Sequence, residues 1–536
     1  MASQLKFAAC ALVCAAIAGP GTAAVIPPGV QLHSTQTLIR NNGSEPDTLD
    51  PMLAEGVPAN NITRELFEGL TATDGAGNVV PGVAETWKQT SSTSWVFTLR
   101  KTAKWSNGDG VTADDFIYGM RRLVDPKTAS QYANTFGIFL VNGKEITEGK
   151  KATSELGVKA LDKYTVEIRT PYPVAFLPEL VSNLQLGPVH RASQEKAGKD
   201  WTKPANLVSN GAYTLSEWKV NSKIVLTKNP QYWDAANVQL TKVTYLAVES
   251  DSADVKLYES GENEWVLLLP PGSYEKYKAQ YPREIRNTPL IGLRYYSFLN
   301  TDPLLKDVRV RKALSMVLDR DILAQKVTAD GQLPAYGLIV KGTVGSDVTS
   351  YDWAAWPMAK RVEEAKKLMA EAGVAPGTKL KFSYNTSDYH KKMAIFAASE
   401  WKTKLSLDLE LDAMEFKVLI KKRNDKDYQI ARNGWNADYN DATTFFALVQ
   451  CGNDQNNQAS CNKKADALID QGNQSLDATK RKELLTQAAR LVMEDYPMMP
   501  LLQYTIPRLV KSYVGGYTAT NALDRYRGKD LYIIKH

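Results

Sequence analysis

An α/β protein of more than one lobe is predicted by three features of the 536-residue chain. The length exceeds what a single hydrophobic core organises, so two to three domains are expected. Short β-branched and aromatic runs alternate with stretches of helical period, the pattern of strands interleaved with helices. Composition is that of a globular chain, 43% hydrophobic and 23% charged, and no repeat or low-complexity linker divides it.

The N-terminus reads as an export signal spanning 1–24. Lys6 supplies a short positive region, and residues 7–18 form an apolar stretch too short to span a membrane. Small residues then lead to a cleavage site near Ala24. Cys10 and Cys14 lie inside that stretch without a convincing lipoprotein context, so a soluble exported protein is expected rather than an anchored one.

Residues 36–40 read as a strand, ended by the turn-forming Asn41-Asn42-Gly43. Ile62, Leu66 and Leu70 repeat every four residues and predict a helix over 60–70. Trp95, Phe97 and Leu99 alternate in a half-buried strand over 95–100. A helix over 111–123 starts at Thr112 as N-cap, with Asp114 and Asp115 in its first turn near the positive end of the dipole. A strand pair follows over 158–169. In the second half, Asp307 caps a helix carrying Val310, Ala313, Leu314 and Val317. Val362, Ala365, Leu368, Met369 and Ala372 form another stripe ended by Gly373, and Leu484, Leu485, Ala488, Leu491 and Val492 a third stopped by Pro497. Short strands are expected over 380–384 and 428–431.

The net charge of +6 is small for this length and spread along the chain, which gives no nucleic-acid footprint. The four His form no His-Glu-x-x-His, and no Gly-x-Ser-x-Gly elbow occurs. Residues 137–144 superficially suggest a phosphate loop, but Glu145 stands where Ser or Thr is needed. Once the signal is removed, Cys451 and Cys461 remain, bracketing a polar loop with little packing of its own. In an oxidising compartment a disulfide is expected there, worth about 2–3 kcal/mol. Two thiols without a nearby His make an incomplete zinc site, so no metal or cofactor is expected.

Residues 432–440 (RNGWNADYN) place a guanidinium, an indole and a carboxylate around a glycine. Both charge signs suit a zwitterionic ligand, because buried ions need partners. The glycine would let a ligand backbone approach, whereas a strand end with solvated charges is the plainer reading.

Several ordered motifs extend the argument. Leu49-Asp50-Pro51, Glu55-Gly56-Val57-Pro58 and Leu66-Phe67-Glu68-Gly69-Leu70 precede Pro81-Gly82-Val83-Ala84-Glu85-Thr86-Trp87 and Trp95-x-Phe97-x-Leu99-Arg100. Lys104-Trp105-Ser106-Asn107-Gly108, Thr112-Ala113-x-Asp115-Phe116 and Asn210-Gly211-Ala212-Tyr213 follow. Asp307-Val308-Arg309-Val310-Arg311, Tyr384-Asn385-Thr386-Ser387 and Val514-Gly515-Gly516-Tyr517 complete the series. Over essentially the whole mature chain this resembles the periplasmic oligopeptide-binding proteins, solute receptors of ABC importers.

The resemblance implies a two-lobed α/β clamshell of the cluster C type, with an extra α+β domain inserted in the N-terminal lobe. Carried over, lobe I is 25–67, 190–291 and 506–536, extra domain II is 68–189, and lobe III is 292–505. The chain would cross between lobes near Gly292 and Thr505. It implies a periplasmic monomer, not an enzyme, that closes on short peptides of two to four residues and delivers them to the importer's transmembrane permease subunits.

Residue by residue, Asp438 matches the acid that pairs with a peptide's α-ammonium. Arg432, Arg423 and His390 match groups that meet its carboxylate, although Arg423 also fits a solvated basic run and His390 a helix cap. The peptide would lie extended along Val57 and 434–436 (Gly434 to Asn436), as an added strand does. Trp435, Tyr132, Tyr295 and Tyr504 would line side-chain pockets, with Glu55 near the ligand's first residues. Asn436, Phe416 and Thr328 depart from the family pattern, and 266–271 is unusually apolar. Two rival readings are a specialised receptor for murein peptides and a secreted peptidase or other hydrolase.

Overall fold

The computed structural model describes residues 24–536 except Ala175 and Leu476. The export signal read over the first residues, with Lys6, Cys10 and Cys14, lies outside the described residues.

Three sheets of four or more strands organise the described residues. Thr37–Asn41 pairs in parallel with Lys242–Leu246, which continues antiparallel through Lys223–Lys228 to Tyr213–Lys219. A second four-stranded antiparallel sheet runs Ala84–Ser91, Ser94–Leu99, Thr165–Arg169, Val158–Asp162. The third has six strands, in the order Leu333–Pro334, Met498–Thr505, Pro289–Phe298, Ile430–Asn436, Lys379–Asn385, Asp408–Met414. The first two sheets share one hydrophobic core, and the third packs its helices into a separate one. Trp435 packs against both cores. Within the third sheet, Pro289–Phe298 and Met498–Thr505 run side by side and antiparallel. Gln503 ties the two strands together by donating from its side chain to the Leu290 carbonyl at 3.0 Å.

Most elements follow from local sequence. Thr112 and Asp115 form a capping box on the helix Ala113–Val124, and Asp307 accepts from the Arg309 N–H at 2.9 Å to start Val308–Val317. Each cap is worth about 1 kcal/mol. Gly373, at φ +71°, follows the helix Met358–Glu371, where a left-handed residue closes the last turn.

Three expectations are corrected. The helix predicted over 60–70 is Gly56–Leu66. Pro58 sits in its first turn, where a missing N–H costs nothing. Beyond Leu66 the backbone finds other partners: the carbonyls of Gly69 and Leu70 accept from Val83 and Ala84 at 3.0 and 2.8 Å. Leu70 is fully buried, so the four-residue period marked burial rather than helix. The strand expected over 428–431 is Ile430–Asn436, carrying the Arg432–Asn436 segment into the sheet. The loop between Cys451 and Cys461, which are disulfide-bonded, is well packed rather than loose. Asn453, Gln455, Asn456, Asn457 and Gln458 are all buried. Asn453 and Gln455 donate across to the carbonyls of Asn134 and Gln131 at 3.3 and 2.9 Å.

Candidate ligand-binding site

A cavity of about 270 Å³ lies between the two cores, and every residue of the predicted ligand set lines it. Its wall includes the strand Ile430–Asn436, which pairs with Pro289–Phe298 from Ile430 to Asn436 but with Lys379–Asn385 only at Ile430 and Ala431. Past Ala431 that second edge is open. An antiparallel pair engages only alternate peptide groups, so half the backbone groups of 432–436 face the open edge. There the Gly434 N–H donates to Asn433 Oδ1 at 2.9 Å.

Asp438 stands just beyond the strand. Its N–H donates to Thr444 Oγ1 at 3.2 Å, and its carbonyl accepts from Arg525 at 2.5 Å and Asn183 at 3.1 Å. These contacts fix the main chain and leave the side chain for other work. The carboxylate oxygen Oδ2 is buried without a hydrogen-bond partner among the described residues. Burial pushes the carboxyl up to about 6, against the charges of Arg525 and Arg64, which pull it down. A buried acceptor of this kind suits a cationic donor.

The cationic end is built from two strands and two helices. Arg432 donates to His390 Nδ1 at 3.3 Å and lies over the Phe416 ring at 5.7 Å. Burial lowers the guanidinium to about 10, so it stays charged at neutral pH. Burial, and then the charges of Arg432 and Arg294, hold His390 far below the usual imidazole value. It is therefore neutral, accepting at Nδ1 and offering an Nε2–H. His390 is not a helix cap: Ser387 caps Asp388–Leu405 by accepting from the His390 N–H at 3.4 Å. Arg423 turns inward to Asn433 Oδ1, and Lys421 and Lys422 pair with surface acids. The basic run is solvated only in part.

Other placements differ from expectation. Gly434 does not make room for a ligand backbone on its side-chain face, since a Cβ there would collide with the Tyr504 hydroxyl. Val57 belongs to the first turn of Gly56–Leu66, so it offers helix N-terminal N–H groups rather than a strand edge. Thr328 is fully buried, its hydroxyl donating to the Leu323 and Ala324 carbonyls at 3.2 Å. The apolar 266–271 segment divides: Val266 and Leu269 are core, and Leu267 and Leu268 line the cavity.

Glu55 spans the gap, accepting from Asn424 at 3.0 and 3.2 Å, with its carboxyl raised by burial. Trp435 donates to Thr444 Oγ1 at 3.0 Å, and Phe416 packs 3.0 Å from where a Gly56 Cβ would stand. Asn436 Oδ1 is buried without a partner among the described residues. Tyr132 and Tyr295 are buried at the rim of the two cores.

Sequence reasoning missed Arg64, Arg294, Asp251, Gln455, Asn457 and Arg525 in the lining. Gln455 and Asn457 carried a usable signal, a disulfide-closed polar loop, whereas the others lie in stretches with no motif. Among the described residues, no group of three or more His, Cys, Asp and Glu could hold a metal ion.

Residues 78–457 match the family described as bacterial extracellular solute-binding proteins, family 5 Middle. The chain belongs to this family. This solute-binding protein is 44% identical over 524 residues to the periplasmic oligopeptide-binding protein OppA of Salmonella typhimurium, covering 97% of this chain and 96% of the relative. Its fold is the two-lobed clamshell of its solved relatives. The structure of OppA from Burkholderia pseudomallei superimposes with a TM-score of 0.93 at 47% identity, over 94% of this chain and 100% of that one. The Escherichia coli murein tripeptide binding protein MppA gives 0.92 at 37% identity, over 94% and 100%. An unliganded open form of MppA gives 0.66 at the same identity, over 95% and 99%. Equal identity means the gap measures lobe arrangement, and this chain has the arrangement of the former.

Proposed function

We propose that this protein is a periplasmic receptor that captures short peptides between its lobes and delivers them to the permease subunits of an ABC importer. The observation that carries this reading is the open backbone edge of 432–436, set between the unpartnered Asp438 oxygen and the Arg432–His390 pair. A peptide needs those three things: a partner for its ammonium, one for its carboxylate, and main-chain pairing that ignores side chains. Asp438 lies six positions beyond Arg432, at most about 20 Å of extended chain. An extended tetrapeptide spans roughly 14 Å, so two to four residues fit once the side chains reach inward.

In this reading Asp438 holds the ammonium and Arg432 the carboxylate. His390 keeps Arg432 aimed, Arg423 extends the carboxylate end, and Trp435, Tyr132, Tyr295, Tyr504 and Phe416 shape the side-chain pockets. The lobe boundaries are 25–67 with 190–291 and 506–536, an inserted domain at 68–189, and 292–505. The three larger sheets and two larger cores support that division. The protein acts as a monomer and needs no covalent chemistry.

Native mass spectrometry of the purified protein tests the reading. A ladder of co-purified peptides is the expected result, and a single fixed mass would indicate a specialised receptor such as one for murein peptides. Incubated tripeptides should remain intact; steady turnover would overturn the receptor reading in favour of a hydrolase.

A further inference from the structure

Arg294 is a cavity guanidinium that the peptide reading leaves unused. Arg294 stands on Pro289–Phe298 directly opposite Gly434, which places it on the sheet face that also carries Arg432. It is 4% exposed and lines the cavity. Its guanidinium is clamped between two rings, Tyr389 at 4.3 Å and Tyr504 at 4.1 Å. Each ring is fixed from elsewhere. Tyr389 donates its hydroxyl to Gln332 Oε1 at 2.7 Å, and Tyr504 occupies the space that Gly434 leaves empty.

The clamp holds the group without satisfying it. Arg294 makes no hydrogen bond or ion pair with any described residue, and its Nε is buried without a partner. Three other cavity guanidiniums are engaged: Arg432 with His390, Arg423 with Asn433, Arg525 with the Asp438 carbonyl. Stacking recovers only part of what the dehydrated Nε–H loses, and leaves the outer N–H groups free for a ligand. Asp251 and Asp330 feel its charge without an ion pair to it, and burial pushes both up to about 7, which leaves each only partly ionised at neutral pH. A rigid, planar, underemployed fork in a ligand cavity is suited to a carboxylate.

We propose that Arg294 reads a second carboxylate on the ligand, so that this receptor favours peptides carrying an acidic side chain in addition to their C-terminal carboxylate. The inference rests on the peptide-receptor reading. The same chemistry could be met by the C-terminal carboxylate itself, and C-terminal amides separate the two sources.

The test is calorimetry on the mature protein with alanine tripeptides bearing Glu in turn at each position, their Gln counterparts, and the C-terminal amides of both. The wild type should prefer Glu over Gln by about tenfold or more at one position, the scale of one charge-assisted pair, in acids and amides alike. Arg294→Gln should remove that preference, losing about tenfold more affinity for the Glu peptide than for its Gln counterpart. Arg294→Lys, which keeps the charge but not the fork, should retain part of it. No Glu preference in the wild type, or one that survives in Arg294→Gln, overturns the proposal. So does a loss that tracks the acid-to-amide comparison instead. If none of these peptides binds the wild type, the peptide reading itself fails, and that outcome is distinct from the others.

Discussion

Replacing Asp438 by asparagine tests its proposed role as the ammonium partner. The Asp438 backbone is held by Thr444, Arg525 and Asn183 independently of the side chain, so Asp438→Asn should fold as the parent does. A buried ammonium that loses its counter-charge costs about 3–5 kcal/mol, between a hundredfold and a few thousandfold in affinity. The charges of Arg525 and Arg64, which act on this carboxylate, would then repel the ligand, placing the loss toward the upper end. The same group sets a pH dependence. A ligand ammonium favours the carboxylate, so affinity is full above about 6 and falls as pH drops through that value. Only about a tenth of the group is ionised one unit below its pKa, so affinity at pH 5 should be about tenfold below that at pH 7. Calorimetry with free and N-acetylated tripeptides reads both effects. Acetylated peptides should bind weakly to the parent and be little affected by the substitution. Equal binding of free and acetylated peptides by the parent would refute the assignment.

Three further outcomes are expected. Gly434→Ala should lower thermal stability by about 1–3 kcal/mol through overpacking against Tyr504, and Tyr504→Phe in the same chain should recover part of it by removing the colliding hydroxyl. Changing both Cys451 and Cys461 to Ser should cost about 2–3 kcal/mol in urea denaturation, and ligand affinity should fall with it because Gln455 and Asn457 of that loop line the cavity. Burial raises the Asp251, Asp254 and Asp330 carboxyls to about 7, so the native state binds more protons than the unfolded chain between about pH 4 and pH 7. Their contribution is fully present below that window and lost as pH rises through 7, and scanning calorimetry of the ligand-free protein should give a higher melting temperature at pH 5.5 than at pH 8.

Local chemistry made much of this molecule legible in its sequence. Caps such as Thr112 and Asp307 mark helix starts because the groups they satisfy are nearest neighbours in the chain. The alternation of Trp95, Phe97 and Leu99 declares a half-buried strand because the period of two is intrinsic to extended backbone. Ordered motifs located the cleft residues, and Asp438 and Arg432 stood out because opposite charges so close in sequence need a shared purpose. Where sequence misled, partners distant in the chain decided. Leu70 keeps the helical rhythm of Ile62 and Leu66 yet leaves the helix, since its carbonyl pairs with Ala84. Gly434 invited a ligand's backbone, but the ring that fills its empty face comes from Tyr504, some seventy residues away. Arg294 had no motif at all, and its isolation between two tyrosines exists only once two strands and a helix are assembled. Periodicity and capping are written along the chain; burial, desolvation and the absence of a partner are properties of the packed whole.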